Sequence, residues 1–584
     1  MKPFKFRPQI LKDLRNYSKE KLAADTMSGL VVGIVALPLA IAFAIAASPA
    51  TSPDDIQHSI GPVAGIITAI VAGLLISMLG GSRVQIGGPT GAFIVIIYGV
   101  VAQFGLSGLI LATMLAGIFL ILLGVFKLGT IIKFIPYPIV VGFTSGIAVT
   151  IFTTQIKDLF GLTIANVPAD FTEKWIAYFT HFSTIDLPTT IVGLLSILLI
   201  VATPLLSKKL PGSLIAILLT TIAVYFLNEA GITHIATISS RFGDITAGLP
   251  PVTAFSLDWD ALTWETVKTL IPTALVIAVL GAIESLLSAT VADGVTGHHH
   301  DSNQELVGQG IANIVTPLFG GLPATGAIAR TMTNIGAGGR TCIAGVVHAM
   351  VLLVIFLLFM PLAGYIPMSC LAGVLVVVAY NMSGWRTFRE LLAGPGSDVV
   401  VLLITFLLTV IFDLTIAIEI GLMIACLLFM RRMAETTQIK VITDEIDATE
   451  ESDMQLHEEN LPIPEGVEVY EINGPYFFGI ANRFEEVMAN MSDRPLVRII
   501  RMRRVPFIDS TGLHNLHNLC QMSRREGTHI VLSGVTENVH RVLEHAGFYD
   551  LVGKDHICPH INAAITAAAR FVEELKQETH HSHK

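Results

Sequence analysis

Before Arg431 the chain is a succession of long apolar runs, broken by short clusters of glycine, proline and polar residues. After Met433 the apolar runs shorten and alternate with charged positions. A helix needs about 20 mostly apolar residues to cross a hydrocarbon core of about 30 Å. The first pattern therefore predicts about fourteen membrane segments between Asp25 and Met430. They fall near 26–47, 60–80, 88–102, 108–126, 131–155, 187–206, 212–229, 266–292, 303–320, 324–337, 340–363, 366–380, 397–412 and 413–430. Several are shorter than a full span.

Beyond Met433, strand-like runs at Val467–Ile472, Leu496–Met502 and His529–Ser533 alternate with helical patterns. The helical patterns are Ala481–Ala489, Thr511–Arg525, Glu537–Ala546 and Asn562–Gln577. This alternation predicts a small α/β unit with helices on a sheet. The expected organisation is a cytoplasmic segment at 1–25, a transmembrane domain at 26–432, an acidic linker at 433–466, the α/β domain at 467–578 and a tail at 579–584. His580, His581 and His583 read as that tail rather than as a metal site.

Composition sharpens the division. Charged residues make up 14% of the chain, against roughly 25% in a soluble domain. Hydrophobic residues reach 52%, too large a load for one aqueous core. Much of the net charge of −10 falls between Asp444 and Glu459. No basic stripe interleaves with aromatics, which argues against a nucleic-acid partner. Cys342, Cys370, Cys426, Cys520 and Cys558 are scattered without a CxxC pair, so no metal, cofactor or disulfide framework is expected. The first 25 residues are polar and basic, unlike the apolar core of a cleavable signal. Lysines and arginines crowd the N-terminus, follow the last segment and recur in alternate loops, while the opposite loops hold chiefly Lys157, Lys174, Arg241 and Lys268. By the positive-inside rule both termini are cytoplasmic.

Two segments echo each other. Gly87-Gly88-Pro89-Thr90-Gly91-Ala92-Phe93 opens the third, and Gly320-Gly321-Leu322-Pro323-Ala324-Thr325-Gly326-Ala327-Ile328 opens the tenth. Gly/Pro-interrupted segments at matching positions in two halves are the mark of an inverted-repeat transporter. They sit seven segments apart, an odd offset, so the second half enters the membrane upside down. The two half-helices then start near the midplane with their N-termini facing each other. A helix start offers free N–H groups and roughly half a positive charge, which suits an anion. Arg330, about one turn further on, adds a full charge where charge is expensive and by default functional. The plainer alternative is a pair of packing kinks, with Arg330 neutralising an acidic side chain.

Glu284 is a second intramembrane charge, with Gly281 and Ser288 on the same helix face. Burial disfavours the charged carboxylate, so Glu284 with Ser288 reads as a proton-coupling site; the alternative is a fixed partner for Arg330. Pro38 breaks the first segment, and Phe43 nearby is a candidate cavity wall. Asp413 and Glu419 read as interfacial charges, and His298-His299-His300 as a solvated loop.

With these residues in place, the chain resembles the sulfate-permease family, also called the solute carrier 26 family. The resemblance rests on Ala36-Leu37-Pro38-Leu39-Ala40, the Gly-Pro-Thr-Gly segment, Gly281-Ala282-Ile283-Glu284-Ser285-Leu286-Leu287-Ser288, the His300–Gly310 stretch and the Arg330 segment. Phe507-Ile508-Asp509-Ser510-Thr511-Gly512-Leu513 resembles the family's STAS domain. It implies a seven-plus-seven inverted repeat with core and gate domains, and homodimers. Sodium-coupled bicarbonate carriers of the family have Asp where Glu284 stands and Thr where Ile328 stands, which makes protons the expected coupling ion ahead of sodium. Asn381-Met382-Ser383 and the stretch from Leu408 to Arg432 resemble bacterial aerobic dicarboxylate carriers. Ser510 or Thr511 would cap a helix, or by resemblance serve as a phosphorylation or partner-docking position.

The expectation is a secondary active transporter in a bacterial inner membrane, with no enzyme chemistry. A small anion docks at Thr90, Gly91, Ala92, Thr325, Gly326, Ala327 and Arg330, with Phe43 as a wall. Proton-coupled uptake of a succinate- or fumarate-like dicarboxylate leads. Bicarbonate, sulfate or chloride transport or exchange through the same pocket is the alternative, followed by a membrane-anchored signalling protein.

Overall fold

A lipid-embedded backbone must satisfy its own hydrogen bonds, and nearly every apolar run before Arg431 does so as a helix. The computed structural model describes residues 4–48, 60–130, 136–164, 167–168, 170–206, 211–243, 263–412, 414–443, 445–447, 460–479 and 495–582. The chain divides into two units, Met1–Ala425 and Cys426–Lys584. In the first, besides the five-residue helices Gln9–Asp13 and Ile238–Phe242, the helices are α1 (Lys19–Ala46), α2 (Pro62–Leu79), α3 (Ile94–Val125), α4 (Tyr137–Phe160), α5 (Phe171–Thr180), α6 (Leu187–Leu206) and α7 (Gly212–Glu229). They continue with α8 (Trp264–Thr296), α9 (Ser302–Val315), α10 (Ile328–Gly336), α11 (Ile343–Ala363), α12 (Met368–Met382), α13 (Trp385–Leu392) and α14 (Gly396–Ile411). α15 (Leu414–Thr436) follows. Among the described residues, nine helices are long and apolar enough to cross a membrane. Gly105, at φ 66°, interrupts α3 where the sequence predicts the gap between the third and fourth segments.

The helices sort into two packed groups. α1, α2, α3, α8, α9, α10 and α11 lie against one another, and α4, α6, α7, α12 and α14 form the other set. The first set matches the first four predicted segments of each half, and the second matches the last three of the first half and segments twelve and thirteen of the second, the grouping a seven-plus-seven repeat requires. Small residues set the spacing. Gly117 of α3 and Gly310 of α9 face each other so closely that a Cβ on either would stand 2.6 Å from the other's carbonyl oxygen.

Three local expectations change. Pro38 lies inside a continuous α1 and does not break it: a membrane helix tolerates a proline when neighbours cover the freed carbonyl. α5 and α13, both rich in polar and charged residues, escaped the search for apolar runs. His300 is tucked in rather than solvated, its Nδ1 2.6 Å from the Asp293 carboxylate and its Nε2 3.0 Å from the Ser302 hydroxyl. Asp413 and the side chain of Glu419 lie outside the described residues.

The strands are β1 (Gly87–Gly88) and β2 (Thr325–Gly326) in the first unit; in the second they run from β3 (Gln438–Ile442), β4 (Glu445–Asp447), β5 (Asn460–Pro462) and β6 (Val467–Asn473) to β7 (Val497–Arg501), β8 (His529–Ser533) and β9 (Ile557–Cys558). The second unit's main sheet has the order β3-β6-β7-β8-β9, with β3 antiparallel to β6 and the rest parallel. α16 (Ser510–Arg525), α17 (Glu537–His545) and α18 (Phe548–Val552) cover one face through Leu516, Leu519, Val539, Leu543 and Phe548. α19 (Ile561–Ser582) covers the other through Ile561, Ala564, Ala568 and Phe571. Burial on both faces explains the apolar run Ile530–Leu532 of β8; in β7, equally buried, Arg498 donates to the Ser523 hydroxyl at 2.7 Å and Arg501 pairs with Glu471 at 3.0 Å. β3 falls within the stretch expected to be linker; as an edge strand, with its exposed residues alternating with half-buried ones, it left a weak signal. The predicted helix Ala481–Ala489 lies outside the described residues.

Candidate anion-binding site

β1 leads through a tight turn, Gly91–Phe93, into α3, and β2 leads into α10. The two strands pair antiparallel, Gly87 with Gly326 and Gly88 with Thr325, and the Ala327 N–H donates to the Ile86 carbonyl at 2.9 Å. Strands running in opposite directions send the helices after them away from each other, so the two helix starts meet at the strand pair. The ladder also satisfies backbone groups that lipid could not.

The local two-fold axis of that pair relates Gly87 to Thr325 and Gly88 to Gly326. In this register the counterpart of Thr90 is Ile328, three positions beyond Thr325, which the Thr-Gly-Ala echo sets against it. The shift has chemical consequences. Thr325 is fully buried; its hydroxyl donates to the Gly281 carbonyl at 2.9 Å and lies 2.6 Å from the Ser285 hydroxyl. The Gly326 N–H donates to Ser285 Oγ at 3.1 Å. Thr325 and Gly326 are thus spent on the joint between α8 and β2, and Ala327 on the Ile86 carbonyl, because each of these donors already serves a protein acceptor. The first intrahelical bonds run from the Phe93 N–H to the Thr90 carbonyl at 3.4 Å and from the Thr331 N–H to the Ala327 carbonyl at 2.9 Å. The N–H groups of Gly91 and Ala92, and of Ile328, Ala329 and Arg330, are the ones that helix geometry leaves without intrahelical partners. Ile328 and Ala329 are exposed.

Arg330 reaches from the second helix start to the first. It is 2% exposed, its Nη2 donates to the Pro89 carbonyl, and its Nη1 has no hydrogen-bond partner among the described residues. Gly88, at φ 151°, leaves room for that guanidinium where any other residue would place a Cβ. One full charge therefore sits between two positive helix ends, a combination that is stable when an anion shares the space.

The Thr90 hydroxyl donates to Glu284 Oε2 at 3.0 Å. No ion pair joins Glu284 to Arg330 among the described residues. Ser288 lies apart from this contact: its hydroxyl donates to Thr331 Oγ1 at 3.3 Å, and Thr331 Oγ1 also accepts from the Ile86 N–H at 3.1 Å. Ser288 thus fastens α8 to α10, and its hydroxyl makes no hydrogen bond with the side chain of Thr90 or Glu284 among the described residues. The outer wall comes from both helix groups. A Cβ on Gly91 would stand 3.1 Å from Ile151 Cδ1 of α4, 3.1 Å from Met382 Sδ of α12 and 3.4 Å from Phe43 Cε1 of α1.

Sequence reasoning passed over Gln85, Ser285 and Glu305. Gln85 donates to the Ser285 carbonyl at 3.1 Å. Glu305, fully buried, accepts from the N–H groups of Gly81 and Ser82 at 2.8 and 3.0 Å and fixes the turn that leads to β1. A carboxylate inside a predicted membrane segment was the available signal for Glu305.

In the second unit the cap of α16 is Asp509, not a hydroxyl: its carboxylate accepts from Gly512 at 2.7 Å and from Phe478 at 3.1 Å. Ser510 and Thr511 stand exposed on the first turn.

Comparison with known proteins fits this geometry. The model of the sulfate permease family matches residues 22–405, and that of the STAS domain matches 459–564. The putative sulfate transporter YvdB of Bacillus subtilis is 38% identical over 94% of this chain and 98% of its own length. The bicarbonate transporter BicA of Synechocystis is 31% identical over 90% of each. The transmembrane domain of a cyanobacterial BicA, 30% identical, superposes with a TM-score of 0.60 over 70% of this chain and 98% of that one. Murine solute carrier 26 member A9 in the inward-facing state shares the fold, with a TM-score of 0.83 at 18% identity over 97% and 94% of the two chains. With two broken helices meeting at one buried arginine and a STAS domain following in the sequence, the chain belongs to the sulfate permease family of anion transporters.

Proposed function

We propose that this chain moves a compact oxyanion, of the size of bicarbonate or sulfate, between the two helix starts, with a proton taken up at Glu284. The observation that carries the reading is the Thr90–Glu284 contact beside unpaired N–H groups. A hydroxyl has one hydrogen to donate. While Glu284 is ionised it claims the Thr90 hydroxyl and repels an arriving anion; once protonated it releases the hydroxyl to the solute. Anion and proton then bind together.

Supporting the compact substrate are the names of the relatives above and the crowding of Gly91 by Phe43, Ile151 and Met382. A succinate- or fumarate-like substrate rests on resemblance in two segments alone. Ile328, at the counterpart of Thr90, brings no oxygen, which weighs against sodium as the coupling ion. The solute lies between the two helix groups, so sliding one group past the other exposes it to either side in turn. A homodimer in a bacterial plasma membrane with both termini cytoplasmic accompanies this reading, supported by the bacterial relatives and the cation bias. Exposed Ser510 and Thr511 suit a phosphoryl group or a protein partner at the start of α16.

Uptake of labelled bicarbonate and sulfate into proteoliposomes, with and without an imposed pH gradient, tests the proposal. Transport of neither anion removes the substrate assignment, and transport indifferent to the gradient removes the proton.

A further inference from the structure

Three of the few cations expected on the face opposite the N-terminus converge. Lys157, Lys174 and Arg241 line a cavity of about 60 Å³ together with Tyr98, Gln155 and Asp158. Their charges are not equally spent. Arg241 Nη1 binds both oxygens of Asp158, at 2.9 and 3.0 Å. Among the described residues Lys157 Nζ donates only to the neutral Ile164 carbonyl, at 2.7 Å. Lys174 is 5% exposed and stands over the Tyr98 ring, 5.6 Å from its centroid, with no carboxylate paired to it among the described residues. Asp170, which caps the same helix, is turned to the N–H groups of Thr172 and Glu173 at 2.8 and 3.1 Å. Two cations therefore face one polar space with no carboxylate bonded to either among the described residues, an arrangement that is costly when empty of anions.

The cavity continues the central site. Phe43, Gly91 and Ile151 wall the first site; Ala46, Tyr98 and Thr154, further along the same three stretches of chain, line the second. At about 1.5 Å per residue the displacement is roughly 5 to 10 Å.

We infer that this cavity is a second anion site, which captures a small inorganic anion, halide or oxyanion, between the outer face and the paired helix starts. It deepens the transport reading above and rests on it. Lys157 and Lys174 supply the attraction, Tyr98 holds the Lys174 ammonium in place, and the Arg241–Asp158 pair closes the rim without contributing net charge.

Trp175, beside Lys174 and edge-on to Tyr178 of the cavity at 6.1 Å between ring centroids, is the reporter. In the full chain with Trp259, Trp264 and Trp385 replaced by phenylalanine, sodium sulfate, bicarbonate and chloride are titrated against gluconate at equal ionic strength. The expected result is a saturable change in Trp175 emission. Its midpoint rises about tenfold in Lys174→Gln and in Lys157→Gln, and is unmoved in Thr90→Val. Lys157→Gln carries the comparison if Lys174→Gln gives no monodisperse species. No saturable change with any of the three anions overturns the inference. So does a change that Thr90→Val abolishes and the lysine variants leave alone, although that outcome leaves the central site standing.

Discussion

The Thr90 hydroxyl donates to the Glu284 carboxylate across 3.0 Å, tying the start of one broken helix to the middle of α8. The contact makes a single hydrogen the link between solute and coupling ion. It also separates Thr90 from Thr325, its likeness in sequence, whose hydroxyl is buried in the joint.

Glu284→Gln fixes the neutral state of that side chain. Protonation of Glu284 frees Thr90, so uptake by the native chain rises as the outside is acidified. The glutamine variant is expected to bind anion with native affinity and to transport with no response to pH. Uptake measured across a pH series checks both halves.

Arg330→Ala removes the charge shared by the two helix starts and the donor to the Pro89 carbonyl. Anion affinity is expected to fall at least about tenfold, or roughly 1.4 kcal/mol, as read by isothermal titration. Unchanged affinity would count against the role given to Arg330.

Gly91→Ala places a methyl group 3.1 Å from both Ile151 and Met382. Transport is expected to drop with little change in melting temperature, because the conflict lies between the two helix groups and not inside either. Met382→Ala in the same chain should restore much of the lost rate, since the far end of that side chain is what the methyl meets. A rate unaffected by Gly91→Ala would show that the two groups do not close on this position.

Thr325→Val and Thr90→Val distinguish the joint from the site. Thr325→Val removes the hydrogen bonds to the Gly281 carbonyl and the Ser285 hydroxyl in a fully buried joint and should cost about 1–3 kcal/mol of stability while sparing affinity in the folded fraction. Thr90→Val should do the reverse. Paired thermal melts and titrations decide between them.

Most of this architecture was legible in the sequence because membrane helices declare themselves by length and polarity. The apolar runs located the predicted segments, and the Gly/Pro breaks located the meeting of two helix starts. The register of that meeting was not legible: Thr-Gly-Ala recurs in both halves, but strand pairing matches Gly87 to Gly326 and leaves Ile328 opposite Thr90. Which N–H groups are spent is a matter of tertiary contacts with Ser285 and Ile86, and no local pattern encodes those. Amphipathic α5 and α13 and edge strand β3 were missed for a related reason, since none of them presents a long apolar run.

Selenate is a sulfate mimic with an anomalous scatterer, and crystals of the full chain grown in it test the central claim most directly. The predicted result is a selenium peak between Thr90 and Ile328, within hydrogen-bonding distance of the N–H groups of Gly91 or Ala92 and of Ile328 or Ala329. No peak between the two helix starts at saturating selenate, whether or not the cavity of Lys157 and Lys174 is occupied, would contradict it.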